Sequence, residues 1–257
     1  MLKVQQLVKY FGGIHAGDGV SFEVAAGECV ALIGPNGAGK STCFACIAGQ
    51  YPLTGGHILW NGKALEKLAP AARLQQGVAR TFQVAQVFEA LTVLQNVQLT
   101  IQASLARKAI SAFKRLDRQS REAALVLLQE TGLRDVADED VLRLSYGAKK
   151  RLELAMALAA SPKLLLLDEP AAGLAEAERA SLMQLVKKLA GQGMAVLYTE
   201  HNMDAVAGVA DRVLVLIEGR LAAQGSFEEI SRDPTVRRLY LGESLGEKQD
   251  EGVAAHA

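Results

Sequence analysis

Three cysteines, four histidines and one tryptophan are few for 257 residues. The cysteines are Cys29, Cys43 and Cys46, an odd set that excludes a disulfide framework as the basis of the fold. Cys43 and Cys46 have C-x-x-C spacing, but no second pair completes a zinc site, so both read as small hydrophobes on one helix face. His15, His57, His201 and His256 are scattered and suggest no metal centre. Long apolar runs are also missing. The longest, Leu164–Leu167 and Val213–Ile217, are strand-sized, whereas a membrane span needs about 18 or more residues. The start, Met1-Leu2-Lys3-Val4-Gln5-Gln6, has no apolar signal core followed by a cleavage site, so the expected location is cytoplasmic. Charge of one sign is missing too. Lys plus Arg and Asp plus Glu both total 28, which argues against a dedicated nucleic-acid binder. The short cluster Lys149-Lys150-Arg151 reads as a solvated helix face.

What is present is ordinary globular material, 50% hydrophobic and 22% charged, in a chain long enough for a sizeable core. Leu2–Leu7, Val20–Val24 and Glu28–Ile33 read as strands, and a glycine-rich turn then leads into a helix over Lys40–Ala48. Gly56–Trp60 is a strand closed by the turn pair Asn61-Gly62, Arg73–Gln76 is helical, and Val78–Phe82 is another strand. From about Leu91 to Ala160 the pattern is mostly helical, with a stop at Gly132. Leu164–Leu167, Ala195–Thr199 and Val213–Ile217 are short buried strands, separated by helices near Glu176–Ala190 and Asp204–Val209, before a last strand near Arg220–Ala223. The fold class expected is α/β with a helical insertion.

Three segments carry chemistry. Gly34-Pro35-Asn36-Gly37-Ala38-Gly39-Lys40-Ser41 matches G-x-x-x-x-G-K-[ST] between a strand and a helix, the context a phosphate-binding loop requires. Its glycines let backbone N–H groups approach phosphate oxygens, and the helix N-terminus adds partial positive charge. Lys40 would reach the β- and γ-phosphates, and the Ser41 hydroxyl would ligate magnesium. Leu164–Leu167 ends in Asp168-Glu169, placing two acids at the carboxyl edge of a sheet. Asp168 would hold the metal through water, and Glu169 would polarise the attacking water. Leu144-Ser145-Tyr146-Gly147-Ala148 precedes a helix, with Ser145 a natural N-cap. By itself that turn reads as a capped helix. After a phosphate loop and before an acidic strand, it reads as a second anion site.

In that order, the three segments resemble the ATP-binding subunit of an ATP-binding-cassette (ABC) transporter, from about Leu2 to Glu243. The resemblance implies a P-loop NTPase core with a β-rich N-terminal subdomain and a helical insertion. The expected domain is 1–242, its core being 1–90 and 160–242 and its helical part 91–159, followed by a polar tail over 243–257. Nucleotide contacts would come from Gly34, Pro35, Asn36, Gly37, Ala38, Gly39, Lys40, Ser41 and Thr42. Gln83 resembles the glutamine that senses magnesium and the γ-phosphate, and His201 the switch histidine. Phe11 lies where the family stacks an aromatic on adenine, with Tyr10 as the alternative and a core aromatic as the plain reading. Ser145 and Gly147 would face the nucleotide of a partner copy, because two such chains pack head to tail. Three positions depart from the pattern: Tyr146 and Ala148 in the L-S-G-G-Q turn, and Ala175, where an aspartate or asparagine is usual. The last departure is expected to weaken communication between the two ATP sites.

The implied cofactors are ATP and Mg2+. The implied partners are membrane-spanning permease subunits, a second ATP-binding subunit (the same chain or a related one) and, indirectly, a solute-binding protein; no nucleic acid is expected. The implied location is peripheral, on the inner face of the cell membrane. The stretches Gly77–Gln83, Val87-Phe88-Glu89, Leu91-Thr92-Val93, Asp168–Leu174 and Tyr240-Leu241-Gly242-Glu243 look like importers of branched-chain amino acids, a pattern shared by amide and urea importers. Val84–Phe88 is the expected contact with the permease. A lipid or lipopolysaccharide exporter's ATPase and a regulatory ATP-binding module without turnover remain as alternatives. A small GTPase is disfavoured because no N-K-x-D motif is present, and a DNA-repair ABC ATPase because 257 residues leave no space for long coiled-coil insertions.

Overall fold

The computed structural model describes residues 1–82, 84–106, 118–201 and 203–239. Gln83, the ending Tyr240–Glu243 and the tail over 243–257 lie outside the described residues.

The chain begins with two long antiparallel strands, β1 (Leu2–Phe11) and β2 (Ile14–Val24). Both run further than the sequence suggests. Gly17 and Gly19 look like breakers, yet β2 passes through them, and β1 kinks at Gln6 (φ 49°), whose N–H is taken by the Ser21 hydroxyl at 2.8 Å. Strand β3 (Cys29–Ile33) follows and is wholly buried. It feeds α1 (Lys40–Ala48), bracketed by Gly39 and Gly49. A hairpin, β4 (Gly55–Trp60) and β5 (Lys63–Ala64), turns through Asn61 and Gly62, both with positive φ, as a two-residue hairpin turn requires. Helix α2 (Pro70–Gln75) leads to β6 (Val78–Arg80), two residues shorter than expected. Three longer helices come next: α3 (Val93–Ala106), α4 (Arg118–Glu130) and α5 (Tyr146–Leu158). The strand–helix alternation then resumes with β7 (Leu164–Leu167), α6 (Glu176–Gly191), β8 (Ala195–Thr199), α7 (Met203–Ala207), β9 (Arg212–Ile217) and β10 (Arg220–Gly225). Two short helices, α8 (Phe227–Arg232) and α9 (Pro234–Leu239), were not anticipated. The first carries a full capping box between Ser226 and Glu229, a signal the sequence does contain.

Among the described residues the strands form two sheets. One has the order β10-β9-β3-β8-β7-β6, parallel except for β10, and the other is the antiparallel β2-β1-β4-β5. The two-residue period of a strand divides β3 between two cores. Val30 and Leu32 face α1 and the antiparallel sheet, whereas Cys29, Ala31 and Ile33 face the side of α6. Cys43 and Cys46 are free and buried in the first of these cores, and burial pushes both thiols upward, Cys46 to about 11. Helices α3, α4 and α5 bury a third cluster of their own around Val97, Leu128 and Leu152. The α/β class with a β-rich part and a helical insertion is therefore what the chain forms.

Arg73 is buried on α2 and closes the end of α1. It donates to the carbonyls of Cys46 (2.6 Å), Ile47 (2.7 Å) and Leu68 (2.9 Å). Arg73→Met keeps the bulk and orphans those carbonyls, so urea unfolding should report a loss of about 2–3 kcal/mol. A loss below about 0.5 kcal/mol, the scatter of surface substitutions, would contradict this.

Candidate functional site

The turn from β3 into α1 is built for an anion. Helix α1 has no side-chain cap at its N-terminus and no acid in its first turn, so its leading N–H groups have no capping side chain or carboxylate. Gly37 has φ 81° and nothing within 4 Å of where a Cβ would stand, so the space over it is open. Gly39 is the opposite case: at φ 98° its Cβ would meet the Ala16 carbonyl oxygen of β2 at 2.0 Å. The turn therefore lies directly against β2, and Gly219 N–H fixes its other side by donating to Ala38 O at 3.0 Å. Lys40 is buried and folds back, donating to Gly34 O (2.7 Å) and Pro35 O (3.0 Å). Burial lowers its ammonium from the ordinary lysine value, while Glu169 and Asp168 pull the other way.

Asp168 and Glu169 follow β7 and are joined through Thr199, the last residue of β8. The Thr199 hydroxyl donates to Asp168 Oδ1 at 2.9 Å and accepts from Glu169 N–H at 2.9 Å. Glu169 sits at φ 46°, a left-handed conformation uncommon outside glycine and typical of strained functional sites. Its Oε1 lies 2.7 Å from His201 Nε2. The second oxygen of Asp168 accepts from Arg80 Nη2 at 2.7 Å. The structure thus brings Lys40, Asp168, Glu169 and His201 to the carboxyl ends of β3, β7 and β8. It adds Arg80 and Thr199, to which the sequence reading gave no role at this site.

The oxygens of Ser41 and Asp168 form the hard donor set that Mg2+ prefers, and Ser41 is exposed at the head of α1. Thr42 follows it, half-buried. Phe11 is 42% exposed near the tip of the β1–β2 hairpin, edge-on to Tyr51 with ring centres 5.3 Å apart. The Tyr10 ring instead lies against His15 at 4.1 Å, with its hydroxyl 3.4 Å from Asp18. Of the two candidate aromatics, Phe11 is the more exposed, and the Lys9 ammonium stands over its ring, 4.7 Å from the centre.

Ser145 caps α5, accepting Ala148 N–H at 3.2 Å. The turn lies against the 173–178 segment. A Cβ on Gly147 would stand 2.7 Å from the Glu178 carboxylate, and one on Gly173 would stand 3.2 Å from the Tyr146 ring. Ala175 opens α6 without a side-chain cap.

The cluster Lys149-Lys150-Arg151 is not a solvated face. Lys150 is 3% exposed and donates to Phe82 O at 3.3 Å, and Arg151 donates to Thr131 O (3.2 Å) and Ser181 Oγ (2.8 Å). Lys150 works with Glu153, one turn further along α5, whose Oε1 accepts Phe82 N–H at 2.8 Å. Burial lowers the Lys150 ammonium and raises the Glu153 carboxyl, while each draws the other back toward its charged form. At the far end of this segment, Asn96 of α3 holds Phe88 in the same way, accepting its N–H at 2.7 Å and donating to its carbonyl at 3.0 Å. Phe82 and Phe88 are thus both fixed, by backbone N–H and C=O, to the helical layer. Gln83 between them lies outside the described residues.

Known proteins match this chain along most of its length. Residues 18–172 match the ABC transporter family. The high-affinity branched-chain amino acid transport ATP-binding protein LivG of Escherichia coli K12 is 38% identical over 251 residues, covering 95% of this chain and 98% of LivG. The lipopolysaccharide export system ATP-binding protein LptB of the same strain is 35% identical over 244 residues, covering 95% of this chain and 98% of LptB. Among solved structures, the ADP conformation of MJ1267, an ATP-binding cassette of an ABC transporter, superposes with a TM-score of 0.84 at 30% identity, covering 95% of this chain and 99% of that one. Domains of this kind bind nucleotide and hydrolyse ATP to drive transport. More than half of the residues fall inside the family match and relatives cover nearly the whole chain, so the chain belongs to the ABC transporter family as one of its ATPases.

Proposed function

We propose that this chain powers the import of branched-chain amino acids or related small solutes. The observation that carries this reading is the 38% identity to LivG across 95% of the chain, against 35% for the exporter protein LptB. ATP-dependent uptake of leucine by the assembled transporter is the test. Extraction of lipopolysaccharide without leucine uptake would favour the exporter reading instead.

In this proposal Lys40 releases the carbonyls of Gly34 and Pro35 and turns to the β- and γ-phosphates, while the backbone N–H groups of Gly34, Asn36, Gly37, Ala38, Gly39, Ser41 and Thr42 surround them and Pro35, which has no N–H, shapes the turn. Phe11 stacks on adenine, a contact worth roughly 1–3 kcal/mol in base-binding proteins. Ser41 and Gln83, with Asp168 through water, would hold Mg2+, which when bound would neutralise charge on the phosphate oxygens. Glu169 takes the proton of the attacking water. His201, 2.7 Å from Glu169, orients that carboxylate and contacts the γ-phosphate. Ser145 and Gly147 of a second copy complete the site, and a second copy of this chain suffices for that in isolation. In the membrane complex the second subunit is the same chain or a related one. The ligand moves the pair only through its different affinity for open and closed states.

The complex sits on the inner face of the cell membrane, receiving solute indirectly from a binding protein. No helix among the described residues is long and apolar enough to cross a membrane, so passage belongs to permease subunits. We place the domain at 1–242, with 91–159 as its helical part, on the separate apolar cluster of α3, α4 and α5. The permease contact is Val84–Phe88. Phe82 ahead of this segment and Phe88 at its end are pinned to the helices, and Val84 is 66% and Phe88 50% exposed. Val87 is half-buried against the helical core, so a charge there would disturb packing, and Val84 is the cleaner position. Val84→Glu should cut uptake by the assembled transporter by about tenfold or more, the scale of a disrupted interface contact, and leave hydrolysis by the isolated chain unchanged. Unchanged uptake would contradict this contact.

A further inference from the structure

Asp168 faces a cation that the motif did not predict. Arg80 ends β6, opposite Leu166 in the register with β7, and its side chain reaches past the strand end to the acid. Its Nη2 donates to Asp168 Oδ2 at 2.7 Å, and the two side chains are only 11% and 10% exposed. Its Nη1 donates to Gln50 Oε1, its guanidinium lies 5.3 Å from the Phe82 ring centre, and its Nε is buried with no partner among the described residues. With Thr199 on Oδ1, each oxygen of Asp168 already accepts a hydrogen bond. A buried carboxylate without a counter-charge is costly, and here Arg80 supplies that charge.

We infer that Arg80 is a positioning residue that competes with the divalent cation for Asp168 and so holds metal affinity down. This rests on the proposed role of Asp168 at the metal. The guanidinium and the metal, held through water, draw on the same carboxylate charge, so each weakens the other's hold reciprocally. Arg80 thereby keeps Asp168 neutralised and oriented until nucleotide brings the metal in. The Gln50 contact gives the guanidinium a second anchor when the carboxylate is shared.

The test is a titration of Mn2+ into the full chain with ADP bound, free Mn2+ being read by electron paramagnetic resonance. Arg80→Gln should tighten Mn2+ binding by about tenfold, within the usual span of coupling between competing ligands. Arg80→Lys, which keeps the charge but loses the fork, should tighten it by roughly threefold, because a shorter point charge competes less well. Should Arg80→Gln fail to fold, Arg80→Lys alone decides. Unchanged or weaker Mn2+ binding in a folded variant overturns the inference, since a merely structural arginine would never tighten the metal. Asp168→Asn separates the two claims. Loss of Mn2+ affinity in that variant upholds Asp168 as the metal carboxylate whatever Arg80 does. Unchanged affinity in it overturns that role, and the inference with it.

Discussion

Glu169→Gln lowers the rate of ATP hydrolysis by about 10²–10⁴-fold, the range of a general base, and leaves ATP binding intact. The expectation follows from what the substitution keeps. Glutamine has the same volume, and its carboxamide can still meet His201 Nε2, now 2.7 Å from Oε1. The bond from Glu169 N–H to the Thr199 hydroxyl is a backbone bond and survives, and with it the left-handed turn at φ 46° and the link to Asp168. What is lost is the basic carboxylate. Single-turnover hydrolysis with nucleotide binding measured in parallel checks this. Hydrolysis within about threefold of wild type would mean that Glu169 contributes far less than a general base does.

Gly39→Ala destabilises the chain by about 3 kcal/mol or more and abolishes nucleotide binding. The added Cβ would lie 2.0 Å from the Ala16 carbonyl oxygen and 3.1 Å from its carbon. Both are backbone atoms of a paired strand, so no side chain can swing aside. The residue also sits at φ 98°, where alanine is strained whatever the space. The turn or the strand must therefore move, and the turn carries Lys40. Gly37→Ala is the control. Its φ of 81° costs about 1–2 kcal/mol, but no atom lies within 4 Å of the new methyl. That methyl enters the open space over the turn where the proposed phosphates would lie, so ADP affinity should fall while most of the stability remains. Thermal unfolding and ADP titration of both variants separate the two effects. Equal stability of Gly39→Ala and wild type would contradict the close approach.

The parts legible in the sequence are those whose signal is local. Helix α1 begins and ends where read because Gly39 and Gly49 bracket it, and β7 and β8 match their apolar runs residue for residue. The Ser145 cap was legible from residue type and position. Partners far apart in the chain leave no such trace. Arg80 meets Asp168 across 88 positions, and Thr199 meets Asp168 across 31. Lys150 sits in a basic cluster that reads as solvated, yet it is buried, held by the Phe82 carbonyl 68 positions away and by the charge of Glu153. The turn after β6 is also held from a distance: Glu153, 71 positions away, takes the Phe82 N–H into the helical layer. In β1 and β2 the error ran the other way, since Gly17 and Gly19 signal a break, but pairing with β1 carries the strand through them.

The departures at Tyr146, Ala148 and Ala175 bear on the shared site more than on the nucleotide loop. Tyr146 lies against Gly173, in the segment between Glu169 and α6. The turn expected to face a partner's nucleotide is thereby packed onto the segment that follows Glu169 of its own chain. Ala148 still supplies its N–H to Ser145, so the cap survives the loss of glutamine.

The most direct test of the account is the solution mass of Glu169→Gln with and without ATP and Mg2+. The account predicts a monomer without nucleotide and a mass twice as large with it, because the Ser145–Gly147 turn of one copy closes over the ATP held by the other. A monomer with ATP bound would contradict the claim that a second copy of this chain completes the site.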